Sequence, residues 1–342
     1  MTAPAWLPDL SYTRATHDRA AARRGEPGLV PRLLVDDATR VVLVHRGRVA
    51  VDGGGGLLLL APEAVEGLSA GGDGEDVHGS GHRWLFLGEQ GPHEDEGAAG
   101  GAGASYLGLV LPDAADVDAV DIEGVAPAPP AARLVRRHAW AGLRDLGGRA
   151  LDALAAEAVA LAAWHAAHER CPRCGEPTVV EQAGWVRRCV AQDLEIYPRT
   201  DPAVIMAVVD DEDRLLLGHA AHWPEGRFST LAGYVEPGEG LEQAVRREVA
   251  EETSVVVGDG PGDVEYRGSQ PWPFPASLML GFRARARTTA VRVDGVEVTD
   301  ARWFTRAELA DGVRAGEVGL PGRPSIARAL VEEWFGGELD AP

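Results

Sequence analysis

Hydrophobic positions come in short runs before position 150 and in longer, more regular runs after it. In the first part, Arg40 to Val44, Leu57 to Leu60, Trp84 to Leu87 and Tyr106 to Leu111 are of strand length, each with Gly, Pro or Asp nearby. They predict an irregular, β-containing domain over residues 1–148. The glycine-rich and acidic composition between Gly71 and Gly103, with Glu94, Asp95 and Glu96, reads mainly as loops. Pro127, Pro129 and Pro130 then punctuate the chain, and an alanine-rich stretch from about Ala150 to Glu169 predicts a helix. That helix, 149–170, connects to a cysteine-bearing module at 171–200.

Past position 200 the pattern changes. Ala203 to Val209 and Arg214 to Gly218 flank the acidic Asp210 to Asp213 turn like a hairpin, and Phe228 to Val235 and Leu278 to Ala286 offer further strands. Leu241 to Glu252 and Pro324 to Phe335 carry helical spacing. Residues 201–342 therefore predict a mixed sheet with helices against it, of the α/β (α+β) class. No internal repeat recurs at a fixed period.

A length of 342 residues suits two domains, or two with a small module. With 45% hydrophobic and 25% charged positions, the chain has the balance of one that folds. The formal charge of −20 argues against a generally basic surface for nucleic acid or anionic membrane, because the long-range field repels polyanions. A polyphosphate ligand then needs local help from a metal ion or from arginines gathered in one cleft. No stretch reaches the roughly eighteen apolar residues of a membrane span. Leu151 to His168 comes nearest, and it holds Asp152, Glu157 and His165. Met1 to Leu10 lacks the basic start and apolar run of an export signal, and three cysteines do not suit a disulfide framework. The reducing cytoplasm is the expected compartment.

The candidate chemistry begins at Gly233, where a glycine-rich turn through Glu239 feeds into an acidic helical stretch, Gly240 to Glu252. On a helix, Glu248, Glu251 and Glu252 stand at i, i+3 and i+4, which places three carboxylates on one face. Anions so close repel one another, and a magnesium or manganese ion, which takes several hard oxygen ligands, relieves that repulsion. Such an ion can bridge a pyrophosphate and lower the pKa of a bound water while a neighbouring glutamate accepts the proton. Arg247 can hold a carboxylate or phosphate through its planar fork. An acidic triplet taken alone is more often a solvated helix face; the wider spacing shifts the balance.

Gly233, five residues, Glu239, seven residues, Arg247-Glu248-Val249, one residue, then Glu251-Glu252 resembles the Nudix box, the signature of hydrolases acting on nucleoside diphosphates linked to another group. The resemblance implies a Nudix α/β/α sandwich with a mixed sheet. It implies Glu248 and Glu252 as metal ligands and Glu251 as a ligand or proton acceptor. The backbone carbonyl of Ala232 and the aligned Glu297 would be further ligands, with Gly233, Glu239 and Arg247 as supports. Ser254 departs from the pattern, which has glycine there to close the helix in a left-handed conformation. Serine in that geometry costs about 1 kcal/mol.

Downstream, Ser269-Gln-Pro-Trp-Pro-Phe-Pro-Ala-Ser277 alternates three prolines with two aromatics. Proline removes amide donors and fixes φ, so the run predicts a stiff extended segment holding Trp272 and Phe274 as flat surfaces. Behind a Nudix box, this string resembles the NADH pyrophosphatase branch, whose members cut NAD(H) to nicotinamide mononucleotide and AMP and also remove NAD caps from RNA 5′ ends. The resemblance covers roughly Leu161 to Phe335. It implies that Gln270, Trp272, Ser277 and Met279 border the nucleotide, that Tyr234 stacks on a base, that Tyr197 and Ala327 touch the substrate, and that the protein is a homodimer. A Nudix hydrolase of ADP-ribose or another nucleoside diphosphate derivative is a competing reading. A catalytically silent nucleotide- or RNA-binding protein is another. No chemistry is assigned to Met1 through Gly148 beyond packing or dimerisation.

Cys171-Pro-Arg-Cys174-Gly, with Cys189 fifteen positions beyond the second cysteine, looks like three quarters of a zinc ribbon. In related pyrophosphatases the fourth cysteine would fall at Gln192, and glutamine is a poor zinc ligand. Asp193, Glu195 and His168 are candidate fourth ligands, and a module that folds without metal is the other reading.

Overall fold

The computed structural model describes residue 7 and residues 10–14, 17–68, 83–90, 103–113 and 130–339. Most of the glycine-rich stretch, including Glu94, Asp95 and Glu96, lies outside these residues, as do Pro127 and Pro129. The chain divides into two compact units. One comprises Arg14–Arg199 with Pro273–Ala276; the other comprises Met1–Thr13, Thr200–Trp272 and Ser277–Pro342.

In the first unit, β1 (His17–Asp18), α1 (Leu29–Leu33), β2 (Arg40–His45), β3 (Arg48–Val51), β4 (Arg83–Gln90), β5 (Ser105–Val110), α2 (Pro130–Arg137) and β6 (Ala139–Gly142) precede two further helices. The strands form one sheet in the order β1-β4-β5-β2-β3-β6. β2 and β5 are parallel neighbours, and their residues are almost all buried. That is why these segments read as unbroken apolar runs rather than alternating ones. Leu57 to Leu60 does not form the expected strand; it makes only isolated bridges, Leu57 to Val51 and Leu60 to Val41. Before it, the Asp52 carboxylate accepts from the amides of Gly54 and Gly56 and fixes a tight turn.

After α3 (Leu143–Leu146), the alanine-rich stretch forms α4 (Asp152–Ala167), buried along nearly its whole length. Small side chains let neighbours approach it from several sides. Its buried Glu157 carboxylate lies 2.7 Å from His17 Nε2. Beyond α4, β7 (Thr178–Glu181), β8 (Val186–Cys189) and β9 (Leu194–Ile196) form a small antiparallel sheet. The buried Arg187 donates to Thr178 Oγ1 and O and to His165 Nδ1 at 3.0 Å. Since Nδ1 accepts there, the His165 proton sits on Nε2, 2.9 Å from Gly184 O. Burial first, and then the Arg187 charge, bring the His165 pKa down to about 3, so this ring is neutral.

The second unit is a helix-sheet-helix sandwich. Its elements are β10 (Asp201–Val209), β11 (Leu215–Ala220), β12 (Leu231–Tyr234), α5 (Leu241–Thr253), β13 (Val264–Trp272), β14 (Ser277–Arg285), β15 (Val298–Phe304), α6 (Arg306–Arg314) and α7 (Ile326–Phe335). The sheet order is β13-β14-β10-β11-β15, with β12 also paired to β10. β10 and β14 are parallel while the other pairs are antiparallel, so the sheet is mixed, as expected. Alternation along β10 builds both layers. Val204, Met206 and Val208 meet Ala244, Val245 and Val249 of α5 in one core, whereas Ile205, Ala207 and Val209 join Leu309, Leu330, Val331 and Trp334 of α6 and α7 in the other.

The proline-rich string is not one extended segment, which corrects the expectation. β13 runs to Trp272 and β14 starts at Ser277, with Trp272 paired to Ser277 and Pro271 to Leu278, so the string folds back as a hairpin. Proline is tolerated within β13 because that strand forms an edge of the sheet. Leu7 and Leu10 enter the α7-side core, and the Leu7 amide donates to Arg267 O at 2.9 Å. Among the described residues, no helix is long and apolar enough to cross a membrane.

Candidate active site

α5 exists where the sequence allows it because Ala244, Val245 and Val249 give it a buried stripe while its charged residues point elsewhere. It ends at Ser254, which adopts φ 60° and ψ 10°. The left-handed closure is thus kept without glycine. Ser254 donates its amide to Ala250 O and its hydroxyl to Arg292 O.

Arg247 is the hub of the acidic turn and helix. Nε and Nη2 grip both oxygens of Glu239 at 2.8 Å. Nη1 donates to Glu248 at 2.8 Å and to Glu251 at 3.1 Å, and Nη2 also reaches the Tyr234 carbonyl at 2.9 Å. One guanidinium therefore ties the turn, the end of β12 and two of the three helix carboxylates together. These bonds hold the Glu239 carboxyl down to about 2.

Gly233 makes room for this arrangement. A Cβ built on it would fall 1.9 Å from Glu248 Cδ, so a larger residue here would have to displace that carboxylate from its place beside the β12 backbone. Glu248 and Glu252 are buried, while the Glu251 side chain is 61% exposed.

Glu252 differs most from an ordinary surface glutamate. Its Oε2 is buried and finds no hydrogen-bond partner among the described residues. Burial, followed by the charges of Glu248, Glu297, Asp294 and Glu251, pushes its carboxyl up to about 8. Burial also raises Glu248, against the pull of Arg247.

Glu252 lines a cleft of about 390 Å³ together with Ala232, Glu297, Thr230, His222 and Trp223. Glu297 is presented by a loop in which the Asp294 carboxylate accepts from the amides of Glu297 and Val298 at 3.0 and 2.9 Å. Ala232, Glu252 and Glu297, three of the positions expected to hold metal, thus meet at one cleft. Hard oxygen donors and an unpartnered buried carboxylate oxygen suit a divalent cation. The glutamate oxygens are not drawn tightly together, however. Among the described residues, the group of ligand atoms within 4.8 Å of one another is that of Cys171, Cys174 and Cys189.

The expected nucleotide-contacting residues are distributed differently. Ala203 pairs with Tyr234 on one side and Met279 on the other, and Met279 pairs with Gln270, so these stand in one row across the sheet. Met279 packs against the α7-side core, opposite the face on which Gly233 meets Glu248. Ser277 is buried and its hydroxyl lies 3.1 Å from that of the exposed Tyr234. The half-buried Trp272 faces Tyr12 at 6.4 Å between ring centres. Ala327 is buried in the first turn of α7. Gln270 is completely buried and its amide group serves the fold: it donates to Ser11 O and Pro324 O and accepts from the Ile326 amide. None of these residues lines the cleft around Glu252. Tyr197 belongs to the other unit, where it is exposed and its hydroxyl donates to Glu195.

Sequence reasoning passed over His222, Trp223, Thr230 and Asp294. The Asp294-Gly295 pair was the available signal for the turn that presents Glu297. For Trp223 a signal lay in its position, between a strand and the glycine-rich turn.

Comparison with known proteins identifies the family. The family model described as NUDIX domain matches residues 199–321, and that described as NADH pyrophosphatase zinc ribbon domain matches residues 166–197. The Mycobacterium bovis (strain BCG / Pasteur 1173P2) protein named NAD-capped RNA hydrolase NudC is 35% identical over 334 residues, covering 94% of this chain and 90% of that one. The human NAD-capped RNA hydrolase NUDT12 is 42% identical over 192 residues, covering 53% of this chain. The chain spans 41% of the length of that human relative.

Proposed function

The chain belongs to the Nudix hydrolase family, alongside the NudC relatives, and on that premise we propose that it hydrolyses the pyrophosphate of NAD(H) to nicotinamide mononucleotide and AMP, with the NAD cap of RNA 5′ ends as a second form of the same substrate. The observation that carries this reading is the Arg247-centred glutamate network beside a cleft that holds the buried, unpartnered Glu252 carboxylate.

Glu248, Glu252 and Glu297, with the Ala232 carbonyl, would hold magnesium or manganese. When bound, the cation offsets charge on the phosphoryl oxygens and makes a bound water more acidic. Glu251 is suited to take the proton from the attacking water, since it is exposed and, among the described residues, its side-chain hydrogen bond is to Arg247. Arg247 and Glu239 fix the direction of the carboxylates, and Gly233 keeps the backbone clear of them. Tyr234 offers an exposed ring next to Gly233 for a base. By family likeness the enzyme would work as a homodimer in the cytoplasm, and a monomeric mass near 36 kDa in light scattering would refute the dimer.

The test is product analysis on NADH, NAD and NAD-capped RNA side by side, with magnesium or manganese. The expected result is nicotinamide mononucleotide and AMP from the dinucleotides and a 5′-monophosphate RNA from the capped one. Intact NADH after long incubation with either metal would refute the reading. Faster cleavage of ADP-ribose, by kcat/KM in direct competition, would move the substrate class elsewhere in the family.

A further inference from the structure

Cys171, Cys174 and Cys189 bring their Sγ atoms within 4.8 Å of one another, and Cys174 Sγ lies 3.5 Å from Cys189 Sγ. Thiolates sharing one zinc ion stand about 3.8 Å apart, the edge of a tetrahedron with arms of roughly 2.3 Å. The three cysteines are free thiols rather than a disulfide pair. Three corners of a tetrahedral soft-metal site are therefore in place.

The fourth corner is where this chain is particular. Cys189-Val-Ala-Gln192 puts an amide side chain where a second Cys-x-x-Cys knuckle would end. The nearby acids are already engaged. The Asp193 carboxylate accepts from Arg188 Nη1 at 2.9 Å, and Glu195 accepts from Arg188 Nη2 at 2.6 Å and from the Tyr197 hydroxyl. His168 turns Nδ1 to Trp164 O at 2.8 Å. The cluster that closes to 4.8 Å holds the three thiols and, among the described residues, no carboxylate or imidazole. Cys171 and Cys189 are buried and Cys174 is exposed, so the site has a side open to solvent.

We propose that this ribbon is a three-thiolate zinc site whose fourth ligand comes from solvent, as water or a small exchangeable thiol or anion, rather than from Gln192, Asp193, Glu195 or His168. The arrangement is that of a zinc ion with three protein ligands and one open position, in a module where a closed set of four is the structural norm. Binding releases the thiol protons, and no redox step is involved. The inference rests on the ribbon holding zinc, not on the hydrolytic reading.

The experiment uses the full chain, stripped by chelator and reloaded with zinc or cobalt(II), with affinity read by competition against a chromophoric chelator. Cys174→Ser should lose most of the affinity. Gln192→Ala, Asp193→Asn, Glu195→Gln and His168→Asn should stay within about threefold of the parent, while Gln192→Cys should bind roughly tenfold tighter or more, the scale on which ligand surroundings shift metal affinity. The visible spectrum of the cobalt form should change on addition of 2-mercaptoethanol, and should stop changing in the Gln192→Cys variant. Loss of metal in any of the four carboxylate, imidazole or alanine variants, to the extent seen in Cys174→Ser, would identify a protein fourth ligand and overturn the proposal. A cobalt spectrum indifferent to added thiol in the parent would overturn it as well. A chain that binds neither metal would refute zinc in the ribbon itself, and NADH cleavage measured on the same preparation reports separately on the hydrolase.

Discussion

A methyl group on the Cα of Gly233 would stand 1.9 Å from the carboxyl carbon of Glu248, so strand β12 and helix α5 are fitted to each other at that one missing side chain. Gly233→Ala should push Glu248 out of place and lower kcat/KM by about a hundredfold, the scale of a misplacement near 1 Å. The fold should persist, with a circular dichroism spectrum like the parent's. Near-parental turnover would show that the Glu248 position is not needed.

Arg247 grips Glu239 with two parallel bonds and reaches Glu248 and Glu251 with a third nitrogen. Lysine keeps the charge but not the fork. Arg247→Lys should therefore weaken magnesium or manganese activation by roughly 10–100-fold, as loss of a ligand-orienting partner does. Titration of activity against metal concentration reads this directly, and an unchanged half-saturation would contradict it.

Glu251 is exposed, and among the described residues its side-chain hydrogen bond is to Arg247. Glu251→Gln should leave the melting point within a degree or two yet cut kcat by roughly 10²–10⁴-fold, the usual worth of general base catalysis. Turnover close to the parent's would remove Glu251 from that role.

Glu252 gives a pH signature. Its folded carboxyl titrates at about 8, above an unfolded value near 4.3. The neutral form's advantage is thus complete below the unfolded pKa and is lost as pH rises through the folded one. In metal-free protein, Glu252→Gln should melt about 5 °C above the parent at pH 8.5, with the gap shrinking toward pH 4.5. Added magnesium should restore the parent and not the variant. A melting-point difference that ignores pH would contradict the assigned environment.

Gln270 separates a folding role from a binding role. Its amide satisfies Ser11 O, Pro324 O and the Ile326 amide in a site with no exposure. Gln270→Ala strands three backbone groups, at about 1 kcal/mol or more each. Chemical denaturation should show a loss of that order while KM for NADH stays near the parent's. A large rise in KM with parental stability would place Gln270 in the nucleotide pocket.

How far the sequence could be read depended on whether the signal was local. The carboxylate helix was legible because i, i+3 and i+4 spacing is a property of neighbouring residues, whereas the left-handed closure at Ser254 was not, because serine there does not dictate that conformation as glycine does. β10 was legible because its apolar run is uninterrupted, each face having its own core. The proline string misled because three prolines in nine residues say extended but do not say where the chain reverses; pairing of Trp272 with Ser277 depends on the β14 partner. The packing of Gln270 was not legible for a related reason, since its partners lie at Ser11 and Pro324, far away in sequence. The β13 strand, interrupted by a glycine and a proline, carried too weak an alternation to be seen.

The contact between Ser11 and Gln270 spans 259 positions. At about 5–20 residues per second, Leu7, Leu10 and Ser11 leave the ribosome roughly 10–50 s before the strand that receives them is synthesised. During that interval two leucines destined for an interior wait in water, where a chaperone or another nascent chain can meet them. The same span bears on anyone trimming the protein for expression. A fragment that starts near Thr200 omits the segment that closes one side of the α7-facing core, so it would be born with a wet hydrophobic seam unless residues 7–13 are supplied with it.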